Sequence, residues 1–215
     1  MGLTKKIMES NLSMVKSRHP MKFVSSVRFA NVSFSNGSLL KHIYEKTKDN
    51  MPFGVPNNVK RYFIKRKEAA NLCMKALLKK CDGKILIPSY KSIGNAYDLK
   101  QISKQIVTEL GKKPKFVFKL QSVSKNLQQI ILHKKKIMGQ KLIEEMYEKN
   151  EKIDDFGSNQ LLLLSPLKKS FEIKSISKKV LNSKNIYELR KILKKVSNNK
   201  NFKILQKADE LNKII

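Results

Sequence analysis

Residues 27–40, Val27-Arg28-Phe29-Ala30-Asn31-Val32-Ser33-Phe34-Ser35-Asn36-Gly37-Ser38-Leu39-Leu40 (VRFANVSFSNGSLL), decide how this chain is read. From Phe29 to Leu40 the run carries no charge, although the chain as a whole has a formal net charge of +29. Phe23 to Val32 is rich in Val, Phe and Ser and predicts a strand. Asn36-Gly37-Ser38 predicts a turn with a helix start, and Leu39 to Lys46 continues as a helix. A strand passing through a small neutral turn into a helix offers backbone N–H groups and the positive end of the helix dipole. Such a place binds phosphate without lysine, and small residues let a ligand approach the backbone closely. Asn31, at the strand's end, adds a side-chain hydrogen bond. A plain strand-turn-helix connection accounts for the same residues, so the turn alone assigns no function.

Outward from this stretch, strands and helices alternate. Upstream, Thr4 to Lys16 carries Ile7, Met8, Leu12 and Val15 at helical spacing, and Arg18-His19-Pro20 ends that helix. Downstream, Pro52 to Asn58 reads as a loop, Val59 to Ile64 as a short strand, and Glu68 to Lys80 as an amphipathic helix. Ala69, Leu72, Cys73, Ala76 and Leu77 form that helix's buried side. Lys84 to Ile87 reads as a strand, Leu99 to Leu110 as a helix ended by Gly111, and Phe116 to Leu120 as a strand. Further on, Leu127 to Leu132 and Lys141 to Glu148 look helical, and Leu161 to Leu164 is a strand bounded by Pro166. Ile186 to Val196 and Phe202 to Leu211 close the chain as Lys-rich helices. The alternation argues an α/β fold.

Composition narrows the function classes. The chain has 215 residues, and 40% hydrophobic content is enough for a packed core. No apolar run approaches the ~20 residues of a membrane span, and the first residues lack the apolar core of a signal peptide. A cytoplasmic protein with no membrane association is expected. Cys73 and Cys81 fall on one predicted helix, too far apart for a disulfide, and read as buried free thiols. His19, His42 and His133 are scattered, so no metal site is expected. The 46 basic residues are spread along the whole chain, and only five are arginine. Arginine is the side chain suited to bidentate phosphate and guanine contacts, so its scarcity argues against a dedicated nucleic-acid reader. A basic, non-catalytic nucleic-acid-binding protein stays open as the alternative function.

The quoted stretch also carries a resemblance. RFANVSFSNGSLL, followed by PNNVKRYFI (Pro56 to Ile64) and EAANLC (Glu68 to Cys73), resembles the nucleotide-sugar 4,6-dehydratases of bacterial polysaccharide biosynthesis. These belong to the extended short-chain dehydrogenase/reductase superfamily. The opening segment Met1-Gly2-Leu3-Thr4-Lys5-Lys6-Ile7-Met8-Glu9 is similar to the family segment that contains the superfamily's Tyr-x-x-x-Lys pair. Met1 falls at the tyrosine position, where some dehydratases of this group have methionine, and Lys5 at the lysine. The resemblance covers Met1 to about Leu120 well and the remainder loosely.

The resemblance implies the C-terminal part of an extended, NAD-binding Rossmann-like fold that lacks the N-terminal Gly-rich half. No G-x-x-G-x-x-G occurs in the sequence. A truncated gene, a misplaced start or a split enzyme whose other half is a separate chain would each produce this. It further implies Lys5 and Met1 as catalytic positions, and Lys5, Phe29 and Ala30 beside the nicotinamide of NAD or NADP. Asn31, Gly37, Ser38 and Leu39 would hold the nucleotide diphosphate, with Arg61 clamping it by charge-assisted hydrogen bonds. Tyr62 and Phe63 fit core and site equally. The implied substrate is a nucleotide sugar, UDP-N-acetylglucosamine foremost, and the implied partners are a missing N-terminal half or further copies of the chain. The chain departs from the family at Asn36 and Asn58, where acidic residues are common. It departs again in Ser165 to Phe171 (SPLKKSF), which stands where a Thr-Gly-Glu-Lys stretch is expected. The expected divisions are 1–60, the rest of a Rossmann-like domain; 61–165, a substrate-binding α/β portion; and 166–215, a Lys-rich helical tail.

Overall fold

A computed structural model describes residues 2–122, 126–133, 141–148, 151–166 and 179–197. Its first helix, α1 (Gly2–Arg18), stops where Pro20 can no longer supply an N–H. Lys16 closes its end by donating to the carbonyls of Pro20 (2.7 Å) and Lys22 (3.0 Å) and to Asp82.

The predicted strand Phe23 to Val32 is two short strands, β1 (Ser26–Val27) and β2 (Asn31–Val32), which belong to different sheets. Arg28, Phe29 and Ala30 carry the chain from one sheet to the other. Helix α2 (Leu39–Lys48) follows, with Leu40, Ile43 and Thr47 buried. Pro52 to Asn58 is not all loop: β3 (Phe53–Pro56) is a strand, tolerated despite Pro56 because it lies at a sheet edge. The predicted Val59–Ile64 strand is likewise split, into β4 (Lys60–Arg61) and β5 (Phe63–Ile64).

Helix α3 (Arg66–Lys75) ends before its predicted limit, and Lys79–Cys81 forms a separate 3₁₀ turn. Ala69 and Leu72 face the core from α3 while Cys73 does not, and Leu77 lies beyond the helix end; both are exposed, while Cys81 is buried, and both thiols are free. Then come β6 (Ile85–Pro88), α4 (Tyr90–Ile93), β7 (Tyr97–Asp98), α5 (Leu99–Glu109) and β8 (Lys113–Val117). The run Leu127 to Leu132 is not helical: β9 (Leu127–His133) is a strand. The last elements are β10 (Ile153–Asp155), β11 (Leu161–Leu164) and α6 (Ile186–Ser197). Residues 141–148 form bends with a single bridge from Ile143 to Lys60 rather than a helix, and the predicted helix Phe202 to Leu211 lies outside the described residues.

Two sheets carry the two hydrophobic cores. The first has the order β1-β6-β11-β10, with β1 parallel to β6 and the other pairs antiparallel. All four residues of β6 are buried, and Ile85, Leu86, Ile87, Leu161, Leu163 and Leu164 pack against Leu12 of α1 and Ala69 and Leu72 of α3. Burying one such aliphatic side chain is worth about 1.5–3 kcal/mol, which is why this sheet anchors both helices. The second sheet, β3-β9-β8, is wholly parallel. Ile43 of α2, Leu99 and Val107 of α5, and Phe53, Val55 and Ile130 form its core.

Strand β9 reads ambiguously in sequence because it is buried on both faces. Its Gln128 and Gln129 are buried yet satisfied. Gln128 donates to the Met51 carbonyl at 2.8 Å, and the Gln129 amide exchanges two bonds with the Gln121 backbone. Gly54 of β3 faces His133 of β9 so closely that an added Cβ would lie 2.1 Å from its Nε2. Two small ladders, β2 parallel to β5 and β4 antiparallel to β7, sit beside the quoted stretch.

Candidate functional site

The turn between β2 and α2 is built by its own small residues. Ser38 N–H donates to the Ser35 carbonyl at 3.0 Å, and Ser35 N–H to Val32 at 3.3 Å. Gly37 takes φ +70°, a conformation that suits glycine, and its α-carbon faces open space. Ser38 then caps α2, its Oγ accepting from Lys41 N–H at 3.4 Å. The first-turn amides of α2 have no carbonyl behind them within the helix. They open onto a hollow of about 500 Å³ lined by Asn36, Gly37, Ser38, Leu39, Lys41, His42 and Glu45. The structure thus brings Gly37, Ser38 and Leu39 together, with the Lys41 ammonium at 2.7 Å from Asn36 Oδ1.

Asn31 and Arg61 meet a different segment. Asn31 Nδ2 donates to the Tyr62 carbonyl (3.0 Å) and to Glu144 Oε2 (2.8 Å). Arg61 Nη1 donates to the carbonyls of Lys60 (2.7 Å) and Lys141 (3.1 Å), and Lys60 N–H donates to Leu142 at 2.7 Å. Residues 141–146 therefore run past both side chains. Among the described residues, Arg61 does not line the hollow at α2. The arginine that reaches the turn is Arg66, whose guanidinium bonds the Phe34 carbonyl. Arg66 and Glu144 are the residues that the sequence reading missed. A second arginine five positions after Arg61, in a chain with so few, was the available signal for Arg66.

Behind this site Arg28 holds three segments together. Its guanidinium contacts Glu9 of α1 (2.7 and 3.0 Å), Glu151 (2.7 and 3.0 Å) and the Met146 carbonyl (2.9 Å). Burial alone would lower the guanidinium's pKa, but its bonds to Glu151 and Glu9 outweigh that and raise it further. Tyr90 Oη accepts from Met146 N–H at 3.0 Å, and the Tyr90 ring packs against Tyr62 and Tyr147 at centroid distances of 5.7 and 5.4 Å. Tyr62 is half-buried here, while Phe63 packs against the second core.

Lys5 is exposed on α1, and Met1 lies outside the described residues. Phe29 is exposed and Ala30 buried in the link between β1 and β2. Among the described residues no group of three or more His, Cys, Asp or Glu is arranged to hold a metal ion. No helix of the described residues is long and apolar enough to cross a membrane.

The mixed α/β arrangement with parallel strands is that of a Rossmann-like fragment, and solved structures share it. Pen from Bacillus thuringiensis matches with a TM-score of 0.55 and 21% identity, over 76% of this chain and 46% of that one. The likeness shows the fold, and the chain spans less than half the length of that neighbour. No curated protein matches. Residues 1–166, most of the chain, match the polysaccharide biosynthesis protein family, and the chain belongs to that family.

Proposed function

We propose that this chain supplies the substrate-binding portion of a nucleotide-sugar 4,6-dehydratase that acts on UDP-N-acetylglucosamine. The observation that carries this reading is the convergence of the Asn31 amide and the Arg61 guanidinium on residues 141–146. Among the described residues no acceptor meets Arg61 Nη2, so that edge is available for a phosphate oxygen. The hollow at α2, with first-turn amides and Lys41, offers a second anion-binding end close along the same stretch.

Short-chain dehydrogenases/reductases generally use NAD or NADP, which would take and return a hydride on the sugar. Only one end of such a cofactor fits this chain. Lys5 and Phe29 are exposed on the elements that would face a nicotinamide, but the sequence has no Gly-rich turn for the pyrophosphate. Under this reading the residues of this sequence are inactive without a dinucleotide-binding half. The nucleic-acid alternative draws no support from the family match, and the cations stay dispersed along the chain.

Titration with UDP-N-acetylglucosamine tests the reading by calorimetry, with Arg61→Ala in parallel. Binding that weakens by about tenfold or more in the variant supports it, the size expected when a charged hydrogen bond to phosphate is lost. Absence of binding by the wild-type chain, together with tight salt-sensitive binding of DNA, overturns it in favour of the alternative.

A further inference from the structure

The hydrogens of Asn31 are already spent. Both partners of its Nδ2, the Tyr62 carbonyl and the Glu144 carboxylate, can only accept, so the NH₂ group faces them and Oδ1 faces away. A phosphate oxygen offers Asn31 only lone pairs and needs one of those two N–H groups. It also carries the same charge as Glu144. A neutral hydroxyl, by contrast, can donate to Oδ1 with Glu144 in place.

Glu144 is mounted so that it can leave without unravelling its segment. Two residues before it, the Leu142 carbonyl is fixed by Lys60 N–H at 2.7 Å. Two residues after it, Met146 is fixed by Tyr90 Oη at 3.0 Å and by Arg28 Nη1 at 2.9 Å. Release of the carboxylate requires only rotation of its own side chain, while the backbone stays moored on both sides.

We propose that Glu144 is a specificity-determining residue, an internal carboxylate that occupies the anion-binding face of Asn31 and is displaced when a phosphate-bearing ligand binds. It sets how strongly the site prefers phosphate-bearing ligands over neutral ones. This rests on the reading of Asn31 and Arg61 as diphosphate-binding residues.

The test uses the full chain and two probes, UDP and uridine, titrated by calorimetry into wild type, Glu144→Ala, Glu144→Gln and Asn31→Ala. Circular dichroism melts confirm that each variant is folded. Glu144→Gln nearly preserves shape and keeps the test valid should the alanine variant fail to fold. The expected result is UDP binding about tenfold tighter in Glu144→Ala, as removal of a like charge at a protein surface gives. Glu144→Gln gives a smaller gain, uridine affinity is unchanged, and the gain shrinks at high salt. If UDP binds and Asn31→Ala weakens it, but the Glu144 variants bind equally or less well, the displacement is wrong and the diphosphate site stands. If none of the four proteins binds UDP, the site reading itself fails and the role of Glu144 falls with it.

Discussion

Arg28 and Glu151 stand 123 positions apart and meet through two hydrogen bonds of 2.7 and 3.0 Å, with the Glu151 side chain only 5% exposed. Glu9 of α1 grips the same guanidinium, so one arginine ties α1 and the segment after residue 146 to the strand that leads to Asn31. Two carboxylates depend on it.

Removal of that arginine takes its charge-assisted bonds from both of these largely buried carboxylates. Arg28→Ala is expected to cost about 3–5 kcal/mol of stability, as for other broken buried ion pairs. Arg28→Lys recovers only part, because an ammonium cannot make the paired contacts of a guanidinium. Urea unfolding of the three proteins measures this; a loss under about 1 kcal/mol in Arg28→Ala would show the cluster to be energetically idle.

Helix caps separate structural from ligand-binding roles. Asp98 Oδ1 accepts from Lys100 N–H at 2.9 Å and Gln101 N–H at 3.1 Å, and its charge favours the helix N-terminus. Ser38 makes one longer bond of 3.4 Å. Asp98→Ala should therefore lower stability by about 1–2 kcal/mol and Ser38→Ala by about 0.5 kcal/mol. In UDP binding the order reverses, since Ser38 and not Asp98 lines the hollow at α2. Equal effects of the two variants on binding would remove Ser38 from the site.

Acid should loosen the first sheet and its supports. Lys16, then the Val24 N–H, holds the Asp82 carboxyl below the ordinary aspartate value, and Lys84 does the same for Asp154. The folded chain then binds fewer protons than the unfolded chain below about pH 4, so stability present above that value is lost as pH falls through the depressed folded values. Thermal midpoints should hold between about pH 7 and 5 and drop below about pH 4. An Asp82→Asn, Asp154→Asn double variant should start lower and fall less steeply. Parallel curves for the two proteins would rule these carboxylates out as the cause.

The two thiols should differ in reactivity. Cys81 is fully buried, and burial pushes its thiol up, partly offset by the charge of Lys80. Cys73 is exposed on α3. Iodoacetamide at neutral pH should modify Cys73 alone in the folded protein, and Cys81 only in urea. Rapid labelling of a Cys73→Ser variant without denaturant would contradict the packing around Cys81.

What the sequence revealed follows from how local each signal is. Helices α2 and α5 were legible because Ser38 and Gly111 mark an end of each within the segments themselves. Strand β6 was legible as an apolar run, and Leu161–Leu164 as a strand cut off by Pro166. Strand β9 was not, because a short apolar run buried on both faces has no distinguishing period, and one of its two neighbours, β3, lies far back in sequence. Strand β3 hid behind Pro52, Gly54 and Pro56, whose reasons are an edge position and the imidazole of His133. Residues 141–148 show helical spacing, yet bonds from Lys60, Arg61, Asn31 and Arg28 hold them across the site in an irregular path. Gly37 and Ser38 could be placed from their own turn, whereas Glu144 could not, since it acts on a residue 113 positions away.

The wholly parallel sheet has a consequence for how the chain is made. Among the described residues both β3 and β8 find their ladder partner only in β9, which is synthesised after either. While the ribosome extends the chain at about 5–20 residues per second, Phe53 and Val55 emerge and wait for seconds without a strand to shelter them. Non-local parallel pairing of this kind is intrinsically slow, and it leaves apolar strand residues exposed to aggregation until the partner strand has been made.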